Sequence, residues 1–149
     1  MKPVVQAIVL AEHVYQDVSG KKIIAGTFQD IIFGRKPLVG VVQPEETKQQ
    51  ILPGATHGGS PIAYVSLTDV GENTTLLFQF VNLTKNTVMF VKQLTVDCKD
   101  RRAVVELVVP LPPWPIAEEG VYAFEVVCEG EILGSHRINA RELKLAEAE

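Results

Sequence analysis

Apolar residues recur at every second position through most of this chain, and that period leaves little choice of architecture. A strand sends successive side chains to opposite faces, so strict alternation marks a strand with one face in a core. Ala63, Val65 and Leu67 share one face of residues 62–69, as do Leu76, Phe78 and Phe80 of residues 75–83. Val105, Leu107 and Val109 do the same in 103–109, and Tyr122, Phe124, Val126 and Cys128 in 121–128. Further candidate strands span 4–15, 23–33, 88–97 and 132–138.

Turn residues stand between these runs: Ser19-Gly20, Gly71-Glu72-Asn73, Lys85-Asn86, Lys99-Asp100-Arg101 and Glu129-Gly130-Glu131. Short strands with turn signals between them, and no long helical pattern, predict an all-β antiparallel sandwich. Residues 34–60 are the irregular part. Residues 38–43 read as a short strand, and Pro44-Glu45-Glu46 predicts a short helix in the long loop after the second strand. Proline suits the first helical position and acids face the positive helix end. Pro53-Gly54 stops that helix, and the glycine-rich stretch 54–60 (GATHGGS) is expected to be a mobile loop. The proline segment 110–115 cannot be a central strand, since proline lacks the amide hydrogen. It has a P-x-x-P spacing that polyproline ligands use. Its better reading is a rigid crossover, with Trp114 covering one end of the core. One domain is expected over residues 1–139, with a short tail of helix formers at 140–149.

The segment Glu118-Glu119-Gly120-Val121-Tyr122-Ala123-Phe124 narrows the class further. Immunoglobulin-type sandwiches carry a tyrosine near the start of a late strand whose hydroxyl bonds back to the preceding turn. Tyr122 after an acid and a glycine has that setting, and the expectation is an immunoglobulin-like sandwich. Phe124 stands where antibody domains have their second cysteine, which fits a domain held by packing.

At 149 residues the chain can bury roughly 68–70% of its unfolded surface, so it needs neither disulfide nor metal to fold. Its formal charge of −4 argues against a nucleic-acid partner, because phosphate binders present a basic face. The paired cations Lys21-Lys22 and Arg101-Arg102 both fall in predicted turns. Cys98 and Cys128 have no metal-site spacing and are read as free thiols in a reducing compartment, although one bridge between them stays open. Residues 4–11 are apolar but interrupted by Gln6 and followed at once by Glu12 and His13. They fit a first strand better than a signal peptide, and are too short to span a bilayer. No membrane partner and a cytoplasmic location are expected.

Ala11-Glu12, Gly20-Lys21, Ile24-Ala25-Gly26-Thr27-Phe28 and Ile31 resemble the opening of an uncharacterised bacterial domain family of small β-sandwich proteins. The closing Gly120-Val121-Tyr122-Ala123-Phe124 and Glu129-Gly130-Glu131 are similar to that family's end. The resemblance implies a bacterial or phage source and a β-sandwich. It brings no activity, cofactor or site residue.

No constellation in the chain points to chemistry. His57-Gly58-Gly59-Ser60 resembles an esterase oxyanion loop, but no G-x-S-x-G nucleophile elbow accompanies it, so a hydrolase centred on His57 and Ser60 is disfavoured. His13, His57 and His136 lack metal-ligand spacing, though His13 and His136 would meet if the first and last strands paired. Glu45-Glu46 and Glu118-Glu119 suit a helix start and an exposed turn rather than an acid–base pair. Asp97 and Asp100, either side of Cys98, lack a calcium-loop pattern. No catalytic residue, cofactor or metal is expected.

The nominal outer faces carry more information. Leu77 and Val81, Val104 and Val108, and Val121 and Val127 are apolar where a face open to water should be polar. Clustered, they would form a patch larger than monomers usually expose, so self-association through a sheet face, as a homo-oligomer or with another protein, is the leading expectation. Cover by residues 34–60 is the competing one. The alternative function is a small-molecule or sugar-binding sandwich that uses the 54–60 loop, with His57, Ser60 and Trp114 as its candidate residues.

Overall fold

In a computed structural model of the chain, the described residues are 2–33, 55–57, 61–113, 116 and 118–142. They form ten strands: β1 (Val4–Gln16), β2 (Lys22–Thr27), β3 (Asp30–Phe33), β4 (Ala55–His57), β5 (Ile62–Thr68), β6 (Thr74–Asn82), β7 (Thr87–Val96), β8 (Val105–Pro110), β9 (Gly120–Cys128) and β10 (Glu131–Glu142). No helix occurs among the described residues. The expected helix at Pro44-Glu45-Glu46 and the expected strand at 38–43 lie outside them.

Two sheets form, in the order β2-β1-β5-β8 and β4-β3-β10-β9-β6-β7. One continuous core joins them. Leu10, Ala63, Val65, Leu67 and Val109 enter from the four-stranded sheet. Leu76, Phe78, Phe80, Tyr122, Phe124, Val126 and Ile138 enter from the six-stranded one. These are the positions that the period of two assigns inward, and Cys128 follows them. Phe80 stacks on Tyr122 with centroids 5.3 Å apart, and Phe78 meets Phe124 at 5.7 Å.

The turns account for the hairpins. Asp17 and Lys21 close a three-residue loop, with Asp17 N bonded to Lys21 O at 2.9 Å and Gly20 N to Asp17 O at 3.1 Å. Gly20, at φ +89°, supplies the left-handed residue that such a loop requires. Cys128 pairs with Glu131 across Glu129-Gly130, both at positive φ, as a two-residue type I′ turn demands.

Three expectations need correction. Residues 23–33 are not one strand: the chain breaks at Phe28 and Gln29, and β3 joins the opposite sheet. Buried Phe28 stitches the switch, its N–H bonded to Leu10 O at 3.4 Å and its carbonyl 3.3 Å from His136 Nε2. Next, the fold is not purely antiparallel, because β3 runs parallel to both β10 and β4. Alternation reports which residues share a face, not strand direction. Last, the helical tail does not begin at residue 140: Asn139, Ala140, Arg141 and Glu142 continue β10 because β3 offers them a pairing edge.

Candidate interaction surfaces

The Tyr122 hydroxyl donates to Glu118 O at 2.8 Å, the bond anticipated from the Glu-Glu-Gly-Val-Tyr spacing. Tyr122 is fully buried, and burial, then the Glu118 charge, raises its pKa above the ordinary phenol value. The bond ties the 118–120 turn to the core and fixes where β9 enters the sheet.

The six apolar outer-face residues do not form one patch. Leu77, Val81, Val121 and Val127 belong to β6 and β9 of the six-stranded sheet, whereas Val108 belongs to β8, and Val104 precedes β8, on the four-stranded one. The two groups face away from each other across the core. Spacing gives the face of each strand but not the sheet to which it belongs, and that was the missing information.

Each group also has its own environment. On the six-stranded sheet, Val81 and Val127 are buried, Leu77 and Val121 half-buried. Between them lies Glu125, 8% exposed, whose carboxylate accepts a 2.7 Å bond from Gln79 Nε2 on the neighbouring strand. That pair satisfies one oxygen of a carboxylate which would be costly to bury alone. On the four-stranded sheet the group stays open: Val104 is 54% exposed and Val108 38%. The register sets Val9, Tyr64 and Val108 side by side across β1, β5 and β8. Tyr64 donates its hydroxyl to the Glu106 carboxylate on the same face. Beside that row, Ser66 Oγ bonds Gln6 Oε1 at 3.1 Å.

The alternating pattern carried a further surface that the sequence reading passed over. Pairing of β1 with β5 ends at Ala11 and Ile62, while β1 and β2 pair on to Gln16 and Lys22. A two-stranded arm therefore overhangs the sandwich. Val14, Tyr15, Val18, Ile23 and Ile24 of this arm all lie outside the core cluster. Val18 is fully exposed at its tip, and Tyr15 and Ile23 are about half exposed. His13 stacks on Tyr15 with centroids 5.7 Å apart. The signal that would have located the arm is the length of β1, since strands of 13 residues exceed the usual 5–6.

A cleft of about 630 Å³ opens at the opposite end of β1, lined by Pro3, the 72–75 turn, Arg101 and the Cys128-Glu129-Gly130 turn among others. The Arg101 guanidinium lies against Gly71, where a Cβ would sit 2.6 Å from its nitrogen, and donates to Asp69 O at 3.3 Å. Burial raises the pKa of the Cys128 thiol.

The remaining candidates are dispersed. The first and last strands do not pair, since β1 and β10 lie in different sheets, so the pairing that would have brought His13 to His136 does not form. His57 ends the short strand β4 instead of sitting in a loop; Ser60 and Trp114 lie outside the described residues. No group of three histidine, cysteine, aspartate or glutamate side chains converges as metal ligands among the described residues. Cys98 and Cys128 are unbridged, the first half-buried and the second buried. No helix among the described residues is long and apolar enough to cross a membrane. No family model matches the chain. Comparison with curated proteins likewise finds no match.

Proposed function

We propose that this chain is a non-enzymatic, immunoglobulin-like sandwich that works through protein contacts, as a cytoplasmic assembly component or adaptor. The observation that carries the reading is the outer face of the four-stranded sheet. Val9, Tyr64 and Val108 stand in one register row there, and exposed Val104 immediately precedes β8. A sheet face that works only against water is polar throughout, and this one sets exposed Val108 and Val104 among Tyr64, Ser66 and Glu106. The immunoglobulin-like assignment draws on the two facing sheets and the Tyr122–Glu118 bond, and the parallel β3 is its departure from that plan. The bacterial domain-family resemblance belongs to the same proposal.

Light scattering at micromolar concentration tests the reading. A self-associated protein that Val108→Asp dissociates without unfolding supports it. A monomer unaffected by concentration and by Val108→Asp removes the face as a homotypic contact.

The cleft beside Arg101 favours a second reading, a small-molecule-binding sandwich. It replaces the 54–60 loop with a polar site in which Arg101, Glu72 and Glu129 meet a charged or hydroxylated ligand. Arg101→Ala would then abolish thermal stabilisation by such a ligand, measured against the variant's own unliganded melt.

A further inference from the structure

Natural sheets guard their free edges with short strands, prolines or inward-pointing charges. Four edges end the two sheets among the described residues. At one, β4 is only three residues long. On β7, Lys92 stands opposite core Phe78, an inward charge whose Nζ donates to Pro110 O at 3.2 Å. That contact also occupies the proline carbonyl that ends β8. The remaining edge, β2, reads Lys-Ile-Ile-Ala-Gly-Thr; its interior has no proline and no inward charge, and its one irregularity is Gly26, at φ +75°.

We infer that β2 pairs with β2 of a second copy, two-fold and antiparallel, joining the two four-stranded sheets into one of eight strands. The proposal rests on the reading of this chain as an assembly module, but on a different surface from the Val108 face.

The backbone parity fits. The Asp17–Lys21 closing pair sets the alternation of the hairpin, so residues 23 and 25 turn their N–H and C=O groups to β1. Residues 22 and 24 then turn theirs to the edge that no described strand pairs, whereas Gly26, at φ +75°, leaves the extended alternation. A two-fold axis at Ile24 sets Ile24 against its own copy and Lys22 against Gly26 of the other subunit. The central Ile24 pair joins outward-facing groups, and Gly26 on either side of it leaves room for the opposing Lys22.

The charges fit too. Glu12 stands beside Gly26 on β1, and its side chain lies across that glycine: a Cβ there would meet Glu12 Oε2 at 3.1 Å. With no side chain at Gly26, Lys22 of one copy reaches over it to Glu12 of the other. The two Cα atoms stand about 10 Å apart, two strand spacings, within the combined reach of lysine and glutamate. Symmetry makes the pair twice. In the single chain Glu12 is exposed, while Lys22 Nζ bonds Gln16 Oε1 at 2.6 Å, an uncharged partner that it would exchange for a carboxylate.

Sedimentation across a concentration series tests this, with Lys22→Glu, Glu12→Lys and the double exchange beside the unchanged protein. Neither side chain belongs to the core, so all four should melt alike at concentrations low enough to leave each monomeric. Each single reversal is expected to weaken dimerisation about tenfold, and the double exchange to restore it. An unchanged protein that stays monomeric at about 1 mM overturns the pairing. So does a dimer indifferent to both reversals, or one that the double exchange fails to rescue. If Val108→Asp dissolves that indifferent dimer, the sheet-face reading stands and only the β2 edge is lost.

Discussion

Strands β6 and β9 and the arm of β1 and β2 beyond Ala11 draw on the same β-branched and aromatic residues, yet they stand at opposite ends of the burial range. Phe78, Phe80, Tyr122, Phe124 and Val126 are wholly enclosed, each strand of the pair having neighbours on both sides and the second sheet beneath. Among the described residues Tyr15 and Ile23 have one neighbouring strand, Val18 stands in the turn between them, and none of the three packs against the core. Period-two patterning makes a strand in both places. What differs is the number of layers around it, and a two-stranded ribbon alone is marginal in water. The proposed assembly role would use such apolar side chains as its contacts.

The largest effect that would sharpen this contrast belongs to Phe124. Phe124→Ala should cost about 3–5 kcal/mol in denaturant melts, through the transfer free energy lost and the cavity left behind. Tyr122→Phe removes one hydrogen bond and strands the Glu118 carbonyl, and should cost about 0.5–1.5 kcal/mol. If the two variants melted like the unchanged protein, β9 would not be the centre of the core.

Alkaline pH probes the same region. The folded state raises the pKa of Cys128, chiefly by burial and then by Glu129, and that of Tyr122, by burial and then by Glu118. Below the ordinary values of 9.0 and 10.0 both groups are protonated in the folded and unfolded chain alike, and stability is whole. As pH rises through them, the unfolded chain releases protons that the folded one retains, so stability falls until the folded values are passed. Melts from pH 8 to 11 should show that decline, and Cys128→Ser should remove its lower-pH part. The smallest effect is expected in the arm: Ile23→Thr should change the stability of the single chain by less than about 0.5 kcal/mol. A loss comparable to that of Phe124→Ala would place the arm inside the cooperative unit.

Where side-chain period and turn chemistry act locally, the fold was legible. The faces of β5, β6, β8 and β9 and the Tyr122 bond follow from spacing alone. The sheet switch at Phe28 was not legible, because residues 23–33 read as one strand. Bonds from Phe28 to Leu10 and His136, and from Asn139 N to Gln29 O at 2.8 Å, all remote in sequence, divide it. The same limit split the expected patch, since nothing local in Val108 or Val81 says that β8 and β6 belong to opposite sheets. The arm was hidden for a related reason: alternation looks the same whether or not a second sheet lies beneath it.

Amide hydrogen exchange, run dilute and concentrated, tests the central contrast most directly. The amides of Tyr122, Phe124 and Val126 should be slow at both concentrations, and those of Ile23 and Ala25, paired to β1, faster. Lys22 and Ile24 point their amides to the open edge. They should exchange freely when dilute and become protected when concentrated. Free exchange of the Ile24 amide at both concentrations, or arm amides as slow as those of β9 in the dilute sample, would contradict this account.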